Sequence, residues 1–216
     1  MVKMNKKIIG VVACSAVAAS MAIGASASDE LIKVGYAQVG HESDWRTANT
    51  QNYQDVFSEE NGYELSFVDC DNDNAAQIEA VRNFINQELD YIVIAPIQSA
   101  GWDTVLQEAQ DAGIPVIIAD REIEASDDLY DAWVGTNTTN EGITAGNWLA
   151  ENLDGKEANI LVIEGSVGAS AALGRSDGFN QVAADHDEWK ILDSQSGDFT
   201  QDGGQEVMES FIKSYE

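Results

Sequence analysis

Short apolar, β-branched runs recur along the chain at Ile32–Tyr36, Leu65–Val68, Tyr91–Ala95, Val116–Ala119, Ala132–Val134, Asn159–Ile163 and Trp189–Leu192. Segments of helical period lie between most of them. Gln77–Leu89 aligns Ile78, Val81, Ile85 and Leu89, and Gly101–Ala112 aligns Trp102, Val105, Leu106 and Ala109. Val207, Met208, Phe211, Ile212 and Tyr215 repeat the spacing near the end. Strands alternating with such helices predict right-handed β-α-β units, hence an α/β fold of parallel sheet with helices on both faces. Asn61-Gly62, Ala112-Gly113 and Asp154-Gly155 read as helix stops ahead of strands. Thr138-Thr139-Asn140-Glu141 reads as a capping box that opens a helix. Trp102, Trp133 and Trp148 fall where core packing is expected.

The units are unevenly spaced. Four fill Leu31 to Asp120; a short strand then ends at Gly135, and the polar run Thr136 to Asn140 precedes a fresh series. Thr136 and Asn137 therefore mark a crossing between two α/β lobes, residues 28–137 and 138–216. The second has two strands and three helices, and the apolar stripe of its last helix calls for a partner sheet. It is either a small lobe or a piece of a longer one.

Residues 1–27 are different in kind. Lys3, Lys6 and Lys7 precede the mostly apolar Ile8 to Ile23, and Ala25-Ser26-Ala27 follows. This is the layout of a secretory signal peptide. Val11-Val12-Ala13-Cys14 offers a lipid anchor as the alternative, disfavoured because the apolar run continues past Cys14. Export would place the protein in the periplasm or on the outer face of the cytoplasmic membrane. The remaining chain has eight Lys and Arg against 38 Asp and Glu, a net of −30, and one cysteine, Cys70. Such a charge argues against nucleic acid or an anionic membrane as partner, and a single cysteine gives no disulfide framework.

Ligands of open parallel sheets sit beyond the carboxyl ends of the strands. There the sequence places Gln38 to Arg46, then Asp120 and Arg121, then the segment Gly165 to Arg175, and finally Ser194 to Thr200. Only four arginines remain after residue 27, and Arg46, Arg121 and Arg175 all fall in these segments. Guanidinium forks donate, carboxylates accept from paired hydroxyls, and flat rings cover an apolar face. Together they suit a polyhydroxylated ring such as a sugar. The plainer reading is that Asp120 and Arg121 cap helices or pair with each other.

Other motifs are weaker. Asp69–Asp73 begins like a calcium loop, but Asn74 replaces the glycine of the sixth position and Ala80 the glutamate of the twelfth, so a strand-to-helix turn is expected. Asp185-His186-Asp187-Glu188 reads as an exposed acidic turn, not a metal site. No dinucleotide fingerprint, phosphate loop or nucleophile elbow occurs, and neither cofactor nor metal is expected.

The segments QVGHESDWR (Gln38–Arg46), IAPIQSAGWD (Ile94–Asp103), ADR (Ala119–Arg121), EGSVGASAALGR (Glu164–Arg175) and SQSGDFT (Ser194–Thr200) resemble the type I, ribose-type periplasmic sugar-binding proteins of ABC importers. Within that family the galactofuranose-binding subgroup is the nearest in look. The resemblance implies two Rossmann-like lobes that close on one monosaccharide, delivery to permease subunits, and a monomer without enzymatic activity. Residue by residue, it implies that Trp45 stacks on the sugar and that Glu42 and Arg46 contact its hydroxyls. It implies further that Asp120 and Arg121 grip the ring, that Arg175 reaches in from the second lobe, and that Phe199 lines the floor. Thr136 and Asn137 match the first hinge crossing. In that family the chain continues past the equivalent of Glu216 to finish both lobes, so a C-terminally truncated member is expected.

Two other functions share these residues. A receptor subunit for chemotaxis or sensing would use the same lobes. A glycosidase would use Glu42 and Asp120 as its carboxylate pair, but an arginine beside each favours the acceptor role over proton donation.

Overall fold

The structure, a computed structural model, describes residues 30–215. The expected leader, its Ala25-Ser26-Ala27 site and Cys14 lie outside them. Strands and helices alternate as β1 (Ile32–Gln38), α1 (Asp44–Val56), β2 (Tyr63–Asp69), α2 (Asn74–Asn86), β3 (Tyr91–Ile94), α3 (Asp103–Asp111), β4 (Val116–Asp120), β5 (Ala132–Gly135), α4 (Thr138–Leu153), β6 (Ala158–Glu164), α5 (Ser170–Ala183), β7 (Trp189–Ser196) and α6 (Gln201–Ser214). All seven expected strands are present, most of them longer by a residue or more at one end or both.

The first five strands form one parallel sheet in the order β2-β1-β3-β4-β5. Residues Val34 to Gln38 of β1 are buried without alternation, as a parallel strand covered on both faces requires. Tyr36, Phe84, Ile92, Trp102, Leu106 and Ile118 fill the core around it. Each such side chain contributes about 1.5–3 kcal/mol on full burial. The winding direction reverses between β1 and β3, and this order leaves a crevice beyond their carboxyl ends. Gln77 of α2 fixes the edge of that crevice. Its Nε2 donates to the carbonyls of Ala37 (3.1 Å) and Ala95 (2.7 Å), and its Oε1 accepts from Ile97 N (2.9 Å).

That role changes the face α2 buries. Gln77, Ala80, Val81 and Phe84 point inward, whereas Ile78 and Ile85 are half-buried and Leu89 lies past the helix. Of the expected stripe, Val81 and Leu89 are buried and Ile78 and Ile85 pack at the flank of the core, while the centre of the buried face takes in the polar Gln77. Trp102 is fully buried, but Trp148 on α4 is 61% exposed, against the core position expected for it. The capping box is also displaced by one residue. Asn137, not Thr138, caps α4, its side chain accepting from Asn140 N (2.9 Å).

β6 and β7 form a second, two-stranded parallel sheet. α4 and α5 cross at backbone contact, since a Cβ on Gly142 would overlap Arg175 O and one on Gly178 would overlap Thr139 O. This crossing fixes Arg175 over the start of α4. On α6, Val207 and Phe211 are buried while Met208, Ile212 and, just past the helix end, Tyr215 stay about half exposed. Loops of the first sheet also reach the second. Ser99 N donates to Gly168 O (2.9 Å), and Glu122 N donates to Ser170 Oγ (2.8 Å). From Leu31 onward the chain is one compact unit. Among the described residues no helix is long and apolar enough to cross a membrane.

Candidate functional site

The site begins where β1 ends. Ser43 caps α1 by accepting from Arg46 N (3.2 Å), which turns Arg46 inward as the one buried residue of that helix. Its guanidinium is shared three ways. Nε donates to Glu42 Oε1 (3.1 Å), one terminal nitrogen to Gln38 Oε1 (3.3 Å) and the other to Asp120 Oδ2 (2.8 Å). Gln38 is itself fully buried and held by Asn49 and Thr50, so the fork has a rigid seat. Arg46 thus ties the end of β1 to the end of β4.

Arg121 follows Asp120 and is 4% exposed. It lies 3.6 Å from Glu42 Oε1 and within 3.5 Å of the carbonyls of Pro96 and Ile97. Burial, and then repulsion from Arg46, pushes its guanidinium down to about 10. Asp120 and Arg121 therefore neither cap helices nor pair with each other, and the plainer reading of this dipeptide does not hold. Glu42 Oε2 is buried and has no hydrogen-bond partner among the described residues.

From the other side come Arg175 and Phe199. Arg175 Nε donates to Glu141 Oε2 (2.8 Å). That bond, helped by the Thr136 hydroxyl, holds the Glu141 carboxyl below the usual range. The Phe199 ring lies 4.9 Å from the Arg121 guanidinium and 6.0 Å from that of Arg175, within cation–π reach of one cation from each sheet's side. Trp45 is 57% exposed at the rim, with the Arg46 guanidinium 4.8 Å from its ring centroid.

A cleft of about 410 Å³ gathers these groups, within the size range of small-molecule sites. All seven positions singled out in the sequence line it, as does Thr136; Asn137 does not, being the cap of α4. Ser43, Glu141 and Ala171 also line it and were not foreseen. Glu141 escaped notice because its partner Arg175 lies on a different helix. Asp198, considered as a third cleft carboxylate, is exposed and does not line the cleft; Glu141 holds that place. Three guanidiniums and three carboxylates leave the cleft near neutral. A larger cavity of about 710 Å³ lies against β6, α4 and α5 and shares Glu141, Arg175 and Phe199. It is mostly apolar and has none of the charged groups of the first sheet, so the polar cleft is the better site for a hydroxylated ligand.

The remaining motifs are structural. Asp73 caps α2 through Ala75 N and Ala76 N, and Asp69 sits 2.9 Å from His41 Nδ1, which raises His41 above the usual imidazole range. His186 pairs with Glu188 (2.8 Å) and stacks on Trp189. Burial pushes the Cys70 thiol up to about 12, far from a nucleophile's range.

The family profile described as "Periplasmic binding protein domain" matches residues 34–216. The galactofuranose-binding protein YtfQ of Escherichia coli (strain K12) is 43% identical over 211 residues, which is 97% of this chain and 64% of that protein. A crystal structure of a galactofuranose binding protein is 44% identical with a TM-score of 0.81, covering 85% of this chain and 62% of that one. The periplasmic component of the arabinose ABC transporter from Shewanella sp. ANA-3, solved with α- and β-L-arabinofuranose, is 43% identical with a TM-score of 0.79, covering 84% and 60%. The chain thus spans a little under two thirds of these relatives.

Proposed function

The chain belongs to the periplasmic binding protein family, and on that premise we propose that it captures a neutral monosaccharide outside the cytoplasmic membrane and delivers it to an ABC permease. The observation that carries this reading is the near-neutral cleft, where three arginines, three carboxylates and the rings of Trp45 and Phe199 converge. A neutral ring can donate hydroxyls to the carboxylates and accept from the guanidiniums. An anionic ligand would face carboxylates at close range in a partly dewatered cleft. In this reading the carboxylates of Glu42 and Asp120, which line the cleft, receive ligand hydroxyls. Trp45 covers one face of the ring from the rim, and Phe199 forms the opposite wall.

The β-D-fucofuranose and L-arabinofuranose bound in similar structures favour a pentose or hexose in its five-membered ring form. Glu42 and Asp120 are each engaged by an arginine, which suits binding without turnover. The lobes divide at Thr136 and Asn137. That short crossing serves as a hinge, and a sugar touching both sides selects the closed form.

A thermal-shift screen of the full-length protein against D-galactose, L-arabinose, D-fructose and D-ribose tests the reading. A ligand at a hundredfold excess over its Kd adds about 2.7 kcal/mol of stability, so at least one sugar should raise the melting temperature by several degrees. No shift with any of the four refutes the reading.

A further inference from the structure

We propose that Gly165, immediately after β6, is a positioning residue: its bare Cα is the seat of the Phe199 ring and so sets the aromatic wall of the cleft. The inference rests on the sugar-binding reading for its ligand, but its geometry stands independently. A Cβ on Gly165 would overlap Phe199 Cζ and Cε1, and would stand only 2.5 Å from Cε2. These three ring atoms are its nearest neighbours. Gly165 is outside the left-handed region, so its own backbone would accept an alanine. What excludes a side chain is the ring.

The backbone on both sides is held. Ser196 Oγ donates to Gly165 O (2.6 Å) and Gly197 N donates to Glu164 O (2.9 Å), which pins the end of β6 to the loop that carries Phe199. That loop is a tight turn. Thr200 N donates to Gly197 O (3.0 Å), and both central residues are left-handed, Asp198 at φ 56° and Phe199 at φ 59°. Aspartate tolerates that region, but a bulky aromatic there is an outlier. Such strain persists where the surroundings over-determine it, and functional sites are where it collects. Here it lays the ring on Gly165, within reach of both Arg121 and Arg175. A methyl group at position 165 would lift the ring from its seat and alter the wall that both guanidiniums share.

Four full-length proteins test this: wild type, Gly165→Ala, Phe199→Ala and the double variant. Each is melted without ligand and titrated calorimetrically with D-galactose, L-arabinose, D-fructose and D-ribose. Gly165→Ala should melt lower than wild type and bind its sugar at least tenfold more weakly. Adding Gly165→Ala to Phe199→Ala should change neither quantity, because the clash has been removed. Equal behaviour of Gly165→Ala and wild type overturns the proposal. So does an equal loss in both backgrounds, the mark of a purely backbone role. If Gly165→Ala does not fold, the double variant decides: folding like Phe199→Ala supports the seat, and failure overturns it. If wild type binds none of the four sugars, the sugar reading falls, and the ligand-free melting comparison alone decides the seat.

Discussion

Replacing Arg46 by methionine keeps most of the stem's volume and deletes the charge that joins β1 to β4. Three hydrogen bonds go at once: those to Glu42 Oε1, Gln38 Oε1 and Asp120 Oδ2. The side chain of Glu42 is 12% exposed, and it would keep only the Arg121 contact at 3.6 Å. Removing one partner of a buried ion pair costs about 3–5 kcal/mol, because the stranded charge stays desolvated. The Asp120 side chain is 28% exposed and part of its charge is solvated, so the lower end, about 3 kcal/mol, is expected. With urea m-values of about 1–3 kcal/mol/M, the unfolding midpoint should fall by about 1 M or more. Arg82 provides an internal control. It pairs with Glu108 at 2.8 Å, but both side chains are at least 40% exposed, and Arg82→Met should leave the midpoint nearly unchanged. A loss no larger than that of Arg82→Met would show that Arg46 is not the tie between β1 and β4.

Three further outcomes are expected. Trp45→Ala should weaken sugar binding by about 1–3 kcal/mol through lost ring coverage, with little change in ligand-free stability because the indole is already 57% exposed; calorimetry and melting together check this. Glu141 is held below its usual range by Arg175, so its contribution is present above the unfolded glutamate pKa of about 4.3 and lost as pH falls through the folded value. Wild type should therefore melt slightly above Glu141→Gln at neutral pH and match it under acid, and a gap independent of pH contradicts the pairing. A net charge of −30 past residue 27 repels itself at low ionic strength. Moderate NaCl, with a Debye length of about 8 Å near 0.15 M, should raise the melting temperature; a flat or falling one argues against self-repulsion.

The strands were legible because each is a short apolar run between turn residues, and a parallel strand carries its burial in its own composition. The helix faces were less so. α2 turns Gln77 inward to bridge carbonyls of two separate strands, and no local pattern announces a polar residue recruited by backbone groups distant in sequence. Trp148 looked like core because tryptophan usually is, yet α4 packs on α5 through Gly142 and Gly178 instead. At the site, chain position after each strand picked out the loops that hold Glu42, Arg46, Asp120 and Arg121, and the family resemblance named Glu42 and Arg46 within theirs. It could not foresee that Arg46 would reach Asp120, 74 residues away. Nor could it assign Glu141, which reads as a helix-start residue and becomes a cleft wall only when α5 brings Arg175 beside it.

This cleft, with Glu42, Asp120 and Glu141 set against Arg46, Arg121 and Arg175, is proposed to take a neutral sugar. The most direct test is calorimetric titration of the full-length protein with D-galactose, L-arabinose, D-fructose and D-ribose beside D-galacturonate at matched ionic strength. At least one neutral sugar should bind, more tightly than the uronate and with an affinity that changes little with salt. Tight binding of galacturonate, with no response to any of the four neutral sugars, would contradict it.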